Sequence, residues 1–462
     1  MAIENSTIQY NIASVPLSQM VRQEYRNYQI YTLMDRAIPY LEDGLKPCQR
    51  RILYTLWKNT SKGLLKVSSA TGLVLTLHPH GPASIEASIV NLAQDFTFAN
   101  NYPLIDKKGY FGERLETAPA AGRYIECKIG EIANLLLFDD MEQVQMIPNY
   151  DERSEEPVHF LPKLPLMLLN GAEGIGTGFS SVIPSFHHKD IVDSMISIVN
   201  TGRAKRLKPW FRHYKKDFKI DENGKIITEI YFEEIDEKIF INEIPRGYDA
   251  QRIYKHLGKF IDRDYLKDYI DSSVDNEIKI ELIFKKGQRP PLAEVRERMS
   301  ASTSLTPNYT LISERGVKIL EAPEEILKIF TERRLQVVQR RYELWASAAE
   351  ERISRNDEII RFVNDKHYTV AQKCANRQSF IEYLVQKKFL HGEYLAEMPV
   401  YRFTQEEINK RSALISEDKK KVKEFKSVAG SQILIREKLI DELKMVNEKL
   451  TDFLGRKKKK TK

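Results

Sequence analysis

Tyr124 stands beside Arg123 at the end of a segment with almost no side-chain bulk, Ala120-Ala121-Gly122. Such small residues let another polymer approach the backbone closely. A phenol has an ordinary pKa of about 10, so it is a poor nucleophile at neutral pH unless a nearby cation favours the phenolate. The pair therefore predicts either a nucleophilic tyrosine beside a fixed cation or a tyrosine half-buried in a domain core, and these residues alone leave both open.

Two histidines follow each other closely in His78-Pro79-His80-Gly81. Their spacing could suit metal ligands, but a zinc site needs three or four ligands. No cysteine or acidic residue stands at a suitable spacing. The cluster therefore favours contacts to an anion through the imidazoles and backbone N–H groups.

A third cluster begins at Asp43-Gly44-Leu45-Lys46-Pro47 and continues to Arg50 and Arg51. Its lysine and arginines could contact phosphates. The alternative is a solvated turn at the start of a helix.

The composition limits the class of protein. A chain of 462 residues is too long for one hydrophobic core. The net charge of +7, from 72 basic and 65 acidic residues, permits a nucleic-acid partner without requiring one. The three cysteines are far apart and lack metal-type spacing, which indicates a reducing compartment. With no apolar signal core and no run of roughly 18–20 apolar residues, we expect a cytoplasmic protein and no membrane partner.

The elements that would position these clusters begin after a polar, tyrosine-rich arm, residues 1–30. In residues 31–155, Asp43-Gly44 and Pro47 mark a turn, and a helix should follow with Ile52, Leu53 and Leu56 on its buried face. A second short helix near Leu64–Leu77 completes the layout of a DNA-reading helix-turn-helix, which many all-helical domains share.

Residues 156–322 predict a second folded region. Apolar runs broken by prolines indicate short strands at 157–185, and alternating charged and β-branched residues indicate an α/β domain at 205–290. The glycine cluster NGAEGIGTG is not followed by a helix-forming segment, so it does not predict a phosphate-binding loop.

Residues 323–455 change character. A helix from Pro323 to about Lys366 contains no further Pro or Gly, and a second long helix should begin near Thr404 in a capping-box pattern. Its later part carries a seam with 4-3-4 spacing, formed by Leu439, Leu443, Val446 and Leu450. These features predict an antiparallel coiled-coil arm carrying a compact piece, with an ordinary helical bundle as the alternative. Residues 456–462 form a basic tail, either solvated or DNA-binding.

The motifs together resemble one family. In order, the chain contains RAIP, DGLKPCQRR, HPHG, GYFGERL, AAGRY, IPNYD and NGAEGIGTG. This order is similar to that of the breakage-reunion subunit of type IIA DNA topoisomerases, the gyrase A and ParC family, over about residues 25 to 450. GERL and AEMPVYRFTQEE are nearer to the eukaryotic and phage forms. The size is closest to the medium subunit of T-even-like phage topoisomerases.

The resemblance implies roles for named residues. Tyr124 would attack a DNA phosphodiester and form a transient 5′-phosphotyrosyl bond, while Arg123 and Arg36 stabilise phosphate charge. Lys46 and His78 would hold the scissile or flanking phosphates. The remaining DNA-contacting positions would be His80 (supporting its loop), Gln49, Arg50, Arg51, Gly81 (allowing a tight turn) and Ile175 (an apolar wedge between base pairs).

Three positions depart from the gyrase A pattern. Gln49 stands where those chains commonly have histidine, so a neutral side chain must make the DNA contact at this position. Ala83 and Ala87 replace a serine and an acid that anchor a quinolone-bound metal in the bacterial proteins. This difference puts quinolone sensitivity in doubt, not catalysis.

The resemblance also implies an architecture and partners. We expect an α+β multidomain chain: a winged-helix cleavage domain, an α/β tower, and a long antiparallel coiled coil ending in a homodimer gate. Since the sequence has no ATPase motif and no TOPRIM-type acidic cluster, Mg²⁺ and ATP should be bound by a separate TOPRIM/ATPase subunit. With no β-propeller after the coiled coil, the complex should relax and decatenate double-stranded DNA without wrapping it. The rival hypothesis is a non-catalytic architectural DNA-binding protein with a coiled-coil dimeriser.

Overall fold

The computed structural model describes residues 17–314 and 316–456. The chain folds into two compact units. Within the described residues, the first comprises 17–139, 144–195, 203–314 and 316–330, and the second comprises 140–143, 196–202 and 331–456. None of the helices in the described ranges is long and apolar enough to cross a membrane.

The first unit begins with an exposed helix, α1 (Leu17–Thr32), that runs into a π-helical turn at Leu33–Ala37. The described part of the predicted N-terminal arm is therefore helical, and its residues 1–16 lie outside the described range. Leu33 is buried and packs with Ile38 and Ile312. These contacts fix the segment that carries Arg36.

Three helices and a small sheet follow. The helices are α2 (Pro47–Lys58), α3 (Val67–Val74) and α4 (Pro82–Ala93). The antiparallel strands β1 (Leu65–Lys66), β2 (Ile105–Lys108) and β3 (Glu126–Ile129) pair in the order β1-β3-β2. Ile52, Leu53 and Leu56 are buried as the helical spacing predicted. The loop 109–125 between β2 and β3 carries Tyr124.

The next segment differs in part from its prediction. After α5 (Glu131–Leu137) come two hairpins, β4 (Met146–Pro148) with β5 (Glu155–Pro157), and β6 (Ala172–Ile175) with β7 (Ser180–Ile183). The run Leu166–Leu169, predicted as strand, forms one helical turn, α6, and all four side chains are buried. Here tertiary packing outweighs the local strand pattern. Helix α7 (His188–Thr201) follows.

The predicted α/β region is confirmed. Strands β8 (Lys219–Ile220), β9 (Ile226–Glu229), β10 (Tyr231–Ile235) and β11 (Lys238–Glu243) precede α8 (Ala250–Asp262). Then come β12 (Asp268–Asp271), β13 (Ile280–Ile283), α9 (Leu292–Met299), β14 (Ser302–Leu305), β15 (Tyr309–Ser313) and β16 (Gly316–Leu320). The sheets have the orders β10-β11-β13-β12, β14-β9-β8 and β15-β16. Ile241, Ile280 and Val295 lie at the centre of one core that joins the four-stranded sheet to α8 and α9.

The second unit is helical. Its elements are α10 (Pro323–Asn364, which starts in the first unit), α11 (Arg377–Gln386), α12 (Gly392–Ala396), α13 (Gln405–Ala429) and α14 (Gln432–Gly455). Three contacts join α10 to α13: Glu350–Lys426, Arg352–Asp418 and Asn356–Arg411. The residue numbers rise along α10 while those of the partners fall along α13. The predicted antiparallel pair is thus formed by α10 and α13.

The second long helix is interrupted, contrary to expectation. It ends at Ala429 and restarts at Gln432, where the Ser431 hydroxyl accepts the Leu434 N–H. Thr404 precedes α13 as predicted, but its side chain makes no capping hydrogen bond. The predicted seam lies on α14, and its four residues are fully buried within the chain, so the seam is intramolecular. Of the predicted tail, only Arg456 lies within the described range.

Candidate active site

A cleft of about 1100 Å³ in the first unit collects most of the predicted site residues. Among the residues that line it are Arg36, Lys46, Gln49, His78, His80 and Gly81. Ala83 and Ala87, on α4, line it as well. Tyr124 is not among the lining residues, and it lies on a neighbouring loop.

Arg36 and His80 both line the cleft and contact each other. The Arg36 guanidinium lies 3.0 Å from His80 Nδ1, and His80 Nε2 lies 3.2 Å from a carboxylate oxygen of Asp35. The Tyr31 hydroxyl is 3.5 Å from the same ring nitrogen. Arg36 stays exposed, so part of its guanidinium can reach an anion in the cleft. His80 therefore contacts the segment that carries Asp35 and Arg36, and its expected role in supporting its own loop stays a prediction.

His78 is buried beside Arg51. An N–H of Arg51 donates to His78 Nδ1 over 3.0 Å, and the same guanidinium makes a bidentate pair with Glu156 at 2.6 and 2.9 Å. Burial, with help from the Arg51 charge, lowers the pKa of His78 to about 4. The imidazole is thus neutral at pH 7. Because Nδ1 accepts a hydrogen bond, the ring proton is on Nε2, which makes His78 a hydrogen-bond donor through that atom.

The two arginines of α2 have structural partners, which corrects part of the predicted DNA-contacting set. Arg50 is 5% exposed and its guanidinium is bidentate to Asp43 at 2.6 and 3.1 Å. Asp43 also accepts the Leu45 N–H. Unlike His78, Arg50 does not line the cleft and its guanidinium is occupied by Asp43, so it is not placed to contact a phosphate there. Arg51 is paired with Glu156 and donates a hydrogen bond to His78.

Lys46 and Gln49 hold the start of α2. The Gln49 side-chain oxygen accepts the Lys46 backbone N–H over 3.0 Å, while Lys46 Nζ donates to the Glu173 carbonyl over 2.8 Å. Burial lowers the pKa of Lys46 below its ordinary value. Lys46 thus faces the cleft as a partly desolvated cation, and the Gln49 carbonyl oxygen is used as a helix cap.

Gly81 does not make the tight turn that was expected. It caps α4 with φ −61° and ψ 155°, which any residue adopts, and an added Cβ would meet nothing within 4 Å. The residue instead leaves open space at the start of α4. Backbone N–H groups there carry partial positive charge and favour an anion.

Tyr124 is 64% exposed, so the alternative of a tyrosine half-buried in a core is wrong. The Arg123 guanidinium lies over its ring, 4.8 Å from the centroid. The Tyr124 N–H donates to the Ala121 carbonyl over 2.8 Å. A turn thus presents the phenol and its neighbouring cation together to solvent.

Gly122 attaches this turn to α4. Its N–H donates to the Glu86 carboxylate over 2.9 Å, and its carbonyl accepts the Ser68 N–H. An added Cβ would lie 2.7 Å from the Glu86 carboxyl carbon. A larger residue here would therefore make the Glu86 carboxylate move and would disturb its hydrogen bond to the Gly122 N–H. Sequence reasoning missed Glu86, because no local pattern announces a partner 36 residues away.

Ile175 is 90% exposed at the end of β6, which excludes the alternative that it belongs to the core. Gly174 and Gly176 flank it, and added Cβ atoms there would collide with Ala37 and Leu33 respectively. Successive strand residues point to opposite faces. The glycines therefore lie against the Leu33–Ala37 turn and direct Ile175 to solvent.

Metal ligands do not cluster in the described part of the chain. Within residues 17–314 and 316–456, no three His, Cys, Asp or Glu side chains stand together in a way that could hold a metal ion. The residues around Tyr124 therefore do not fit a metal held by this chain alone.

Comparison with known proteins identifies the family. The family model for the A subunit of DNA gyrase/topoisomerase IV matches residues 36–444, and the chain belongs to that family. It is 30% identical over 370 residues to the mitochondrial DNA topoisomerase 2 of Dictyostelium discoideum and 31% over 360 residues to DNA topoisomerase 2 of Crithidia fasciculata. These alignments cover 77% and 76% of this chain but 28% of each relative's length.

The fold has a counterpart among solved structures. The DNA-binding, cleavage and re-ligation domain of Plasmodium falciparum topoisomerase II matches with a TM-score of 0.78 and 23% identity. The match covers 93% of this chain and 64% of the solved one. The resemblance to type IIA breakage-reunion subunits is thereby confirmed, and the closeness to phage forms stays a prediction.

Proposed function

We propose that this chain cleaves and rejoins DNA as part of an ATP-dependent type II topoisomerase, with Tyr124 as the nucleophile. The observation that carries the proposal is the exposed Tyr124 phenol with the Arg123 guanidinium against it. Both are held by Gly122 to α4, and the first turn of that helix borders the cation-lined cleft. An architectural DNA-binding protein has no need to expose a phenol beside a fixed cation.

The reaction exchanges one phosphodiester for another. Tyr124 Oη loses its proton and attacks the phosphorus, the P–O3′ bond breaks, and the 3′ oxygen takes up a proton to become a hydroxyl. The DNA 5′ phosphate is then bound to the tyrosine. Reversal uses the 3′ hydroxyl as the nucleophile and restores the strand without an external energy source. Positive charge near the phosphoryl oxygens lowers the barrier in both directions.

The cleft residues have distinct parts in this proposal. Arg36 and Lys46 supply fixed positive charge for the scissile and flanking phosphates. His78 donates a hydrogen bond from Nε2 without carrying charge, since Arg51 holds its other nitrogen. His80 positions Arg36, and Ile175 acts as an apolar wedge that unstacks a base step.

Assembly completes the enzyme. We propose that residues 31–155 act as a winged-helix domain, residues 156–322 as a tower, and the tip of the coiled coil as a homodimer gate. A separate TOPRIM/ATPase subunit would bind Mg²⁺ and ATP. Two copies of Tyr124 would then cut the two strands, so that a second duplex can pass for relaxation or decatenation.

The decisive variant is Tyr124→Phe, which removes one oxygen from an exposed side chain. In the full chain reconstituted with a TOPRIM/ATPase subunit, Mg²⁺ and ATP, we expect detergent-trapped covalent DNA and decatenation to vanish, while thermal melting and duplex binding stay unchanged. Tyr150→Phe, at an exposed tyrosine outside this turn, is the matched control. Covalent DNA retained in Tyr124→Phe would place the nucleophile elsewhere.

The proposed second subunit is tested by omitting it. Robust cleavage with Mg²⁺ and this chain alone would reject the proposal that a separate TOPRIM/ATPase subunit binds the metal.

A further inference from the structure

Arg246 lines the same cleft as Arg36 and Lys46, although it comes from the loop between β11 and α8. Its guanidinium pairs with the Glu173 carboxylate on β6. Neither side chain is sequestered, with exposed fractions of 30% for Arg246 and 56% for Glu173. The Arg246 guanidinium is thus a third strong cation at the cleft. Its present partner is a carboxylate that another anion could replace.

The Arg246 backbone is fixed independently of this pair. Its N–H donates to the Thr228 hydroxyl over 3.0 Å, and its carbonyl accepts from the Thr303 hydroxyl over 2.7 Å. The two threonine hydroxyls are 3.1 Å apart. Neighbouring strands β9 and β14 therefore set where the Arg246 side chain begins.

Arg114 fixes the rest of the loop. This buried residue of the GERL motif donates to the carbonyls of Ile244 and Tyr248 over 2.9 and 2.8 Å, and to that of Pro245 over 3.1 Å. Arg114 belongs to the loop 109–125, which also carries Tyr124. The tyrosine loop and the Arg246 loop are therefore joined through a buried guanidinium.

The Glu173 backbone is also held in place by contacts other than the ion pair with Arg246. The hairpin that carries Glu173 lies against the Leu33–Ala37 turn through Gly174 and Gly176, and the Glu173 carbonyl accepts from Lys46. Lys46 and Arg246 thus both contact Glu173: Lys46 binds its backbone carbonyl, and Arg246 binds its carboxylate. The ion pair is not needed to hold either element.

An arginine that is fixed in place and paired with an exposed carboxylate can exchange that partner. An exposed ion pair contributes little to stability, whereas a phosphate offers Arg charge-assisted bidentate hydrogen bonds. Burial also lowers the pKa of Arg246, because the cleft removes water from its guanidinium. We propose that Arg246 binds a DNA backbone phosphate beside the one held by Lys46, and that Glu173 occupies its guanidinium until DNA displaces it. This inference rests on the proposed function.

The test is the salt dependence of duplex binding by the full chain, measured by fluorescence anisotropy. Each phosphate contact contributes about 0.9 to the slope of log K against log salt. Arg246→Ala should reduce the slope by about that amount per chain copy. Arg289→Ala is the matched control, since Arg289 pairs with Glu234 at similar exposure and does not line the cleft. An unchanged slope in Arg246→Ala would overturn the proposal.

Glu173→Gln separates phosphate exchange from a structural role. The amide keeps the size of the side chain but holds a guanidinium weakly, so duplex binding should tighten several-fold. A structural ion pair predicts the opposite, with weaker binding in Glu173→Gln and Arg246→Ala alike, and that result would also overturn the proposal. If Arg246→Ala folds poorly, the slope of log K against log salt is measured with Arg246→Gln instead.

Failure of this inference differs from failure of the proposed function. A wild-type chain that forms Tyr124-dependent covalent DNA, with an Arg246→Ala slope equal to wild type, rejects only the role of Arg246. A wild-type chain that binds no duplex, or forms no covalent complex with its partner subunit, rejects both.

Discussion

At the residue scale, Ile175 separates stability from DNA deformation. Because the side chain is 90% exposed, Ile175→Ala should change the free energy of unfolding by less than about 0.5 kcal/mol. If the side chain is a wedge, the same variant should reduce the DNA bend angle, measured by energy transfer between end labels, and should slow cleavage. Weak salt-dependent binding should persist, since phosphate contacts supply it.

Ile183→Ala, in the paired strand β7, is the control because Ile183 is buried. It should cost roughly 2–5 kcal/mol of stability by leaving a cavity. A normal bend angle in the Ile175→Ala complex would show that the wedge interpretation is wrong.

His78 makes a testable contribution to pH dependence. Its pKa is about 4 in the folded protein and near 6.5 when unfolded. Well above pH 6.5 both states are neutral and the residue has no effect. As pH falls from 6.5 towards 4, the unfolded chain binds a proton that the folded one refuses, so folding is progressively disfavoured.

We therefore expect the free energy of unfolding of the wild-type chain to fall relative to that of His78→Gln as the pH is lowered from 7.5 to 4.5. Denaturant unfolding of both proteins at each pH measures this difference. The comparison uses the difference between the two proteins, which cancels other titrating groups. A difference that stays constant over this interval would mean that His78 is not held neutral by burial and Arg51.

At the element scale, the turn that carries Tyr124 depends on Gly122. In Gly122→Ala the added Cβ would displace the Glu86 carboxylate that accepts the Gly122 N–H, so the turn should lose this attachment to α4 and the yield of covalent complex should fall. Gly72→Ala, on α3, is the control because a Cβ there meets nothing within 4 Å. Amide hydrogen exchange of residues 120–125 should rise in Gly122→Ala and not in Gly72→Ala.

Glu86→Ala removes the same hydrogen bond without adding a Cβ at position 122. This variant alone should therefore raise amide exchange in residues 120–125. If exchange in Glu86→Ala stays at the wild-type level, the hydrogen bond to Glu86 is not what positions the tyrosine.

At the scale of the whole molecule, assembly should depend on the tip of the coiled coil. Residues 367–403 pack on Ile359, Phe362 and Ile408 of the flanking helices, so deleting them would expose a core. Substitution of exposed apolar residues is a sharper test. Leu390 and Val400 are 82% and 77% exposed at this tip, so substituting them leaves the core in place.

Leu390→Asp with Val400→Asp should convert dimers to monomers in sedimentation while leaving the helical circular dichroism unchanged. Ile433→Asp, at a comparably exposed residue on α14, should leave the dimer intact. A Leu390→Asp, Val400→Asp protein that sediments as a dimer would remove the tip from the proposed gate.

The sequence by itself determined the features that depend on local chemistry. Pro323 and the absence of later breakers set the long helix, which ends at Asn364, close to the predicted end. The 4-3-4 spacing identified the buried seam of α14, because helical periodicity places those positions on one face. The order of motifs indicated the family and the tyrosine.

Only the tertiary structure decided which charged residues face the cleft. Arg50 and Arg51 are adjacent in sequence, yet one is buried against Asp43 and the other supports His78 while paired with Glu156. Arg50 stands three residues before the buried Leu53, so helical spacing carried a signal of its burial, but an arginine is buried only where a partner is available. Glu156 is 105 residues away in the chain, and Glu173 is 73 residues from Arg246. Such pairings depend on how distant elements pack, which local composition and spacing do not specify.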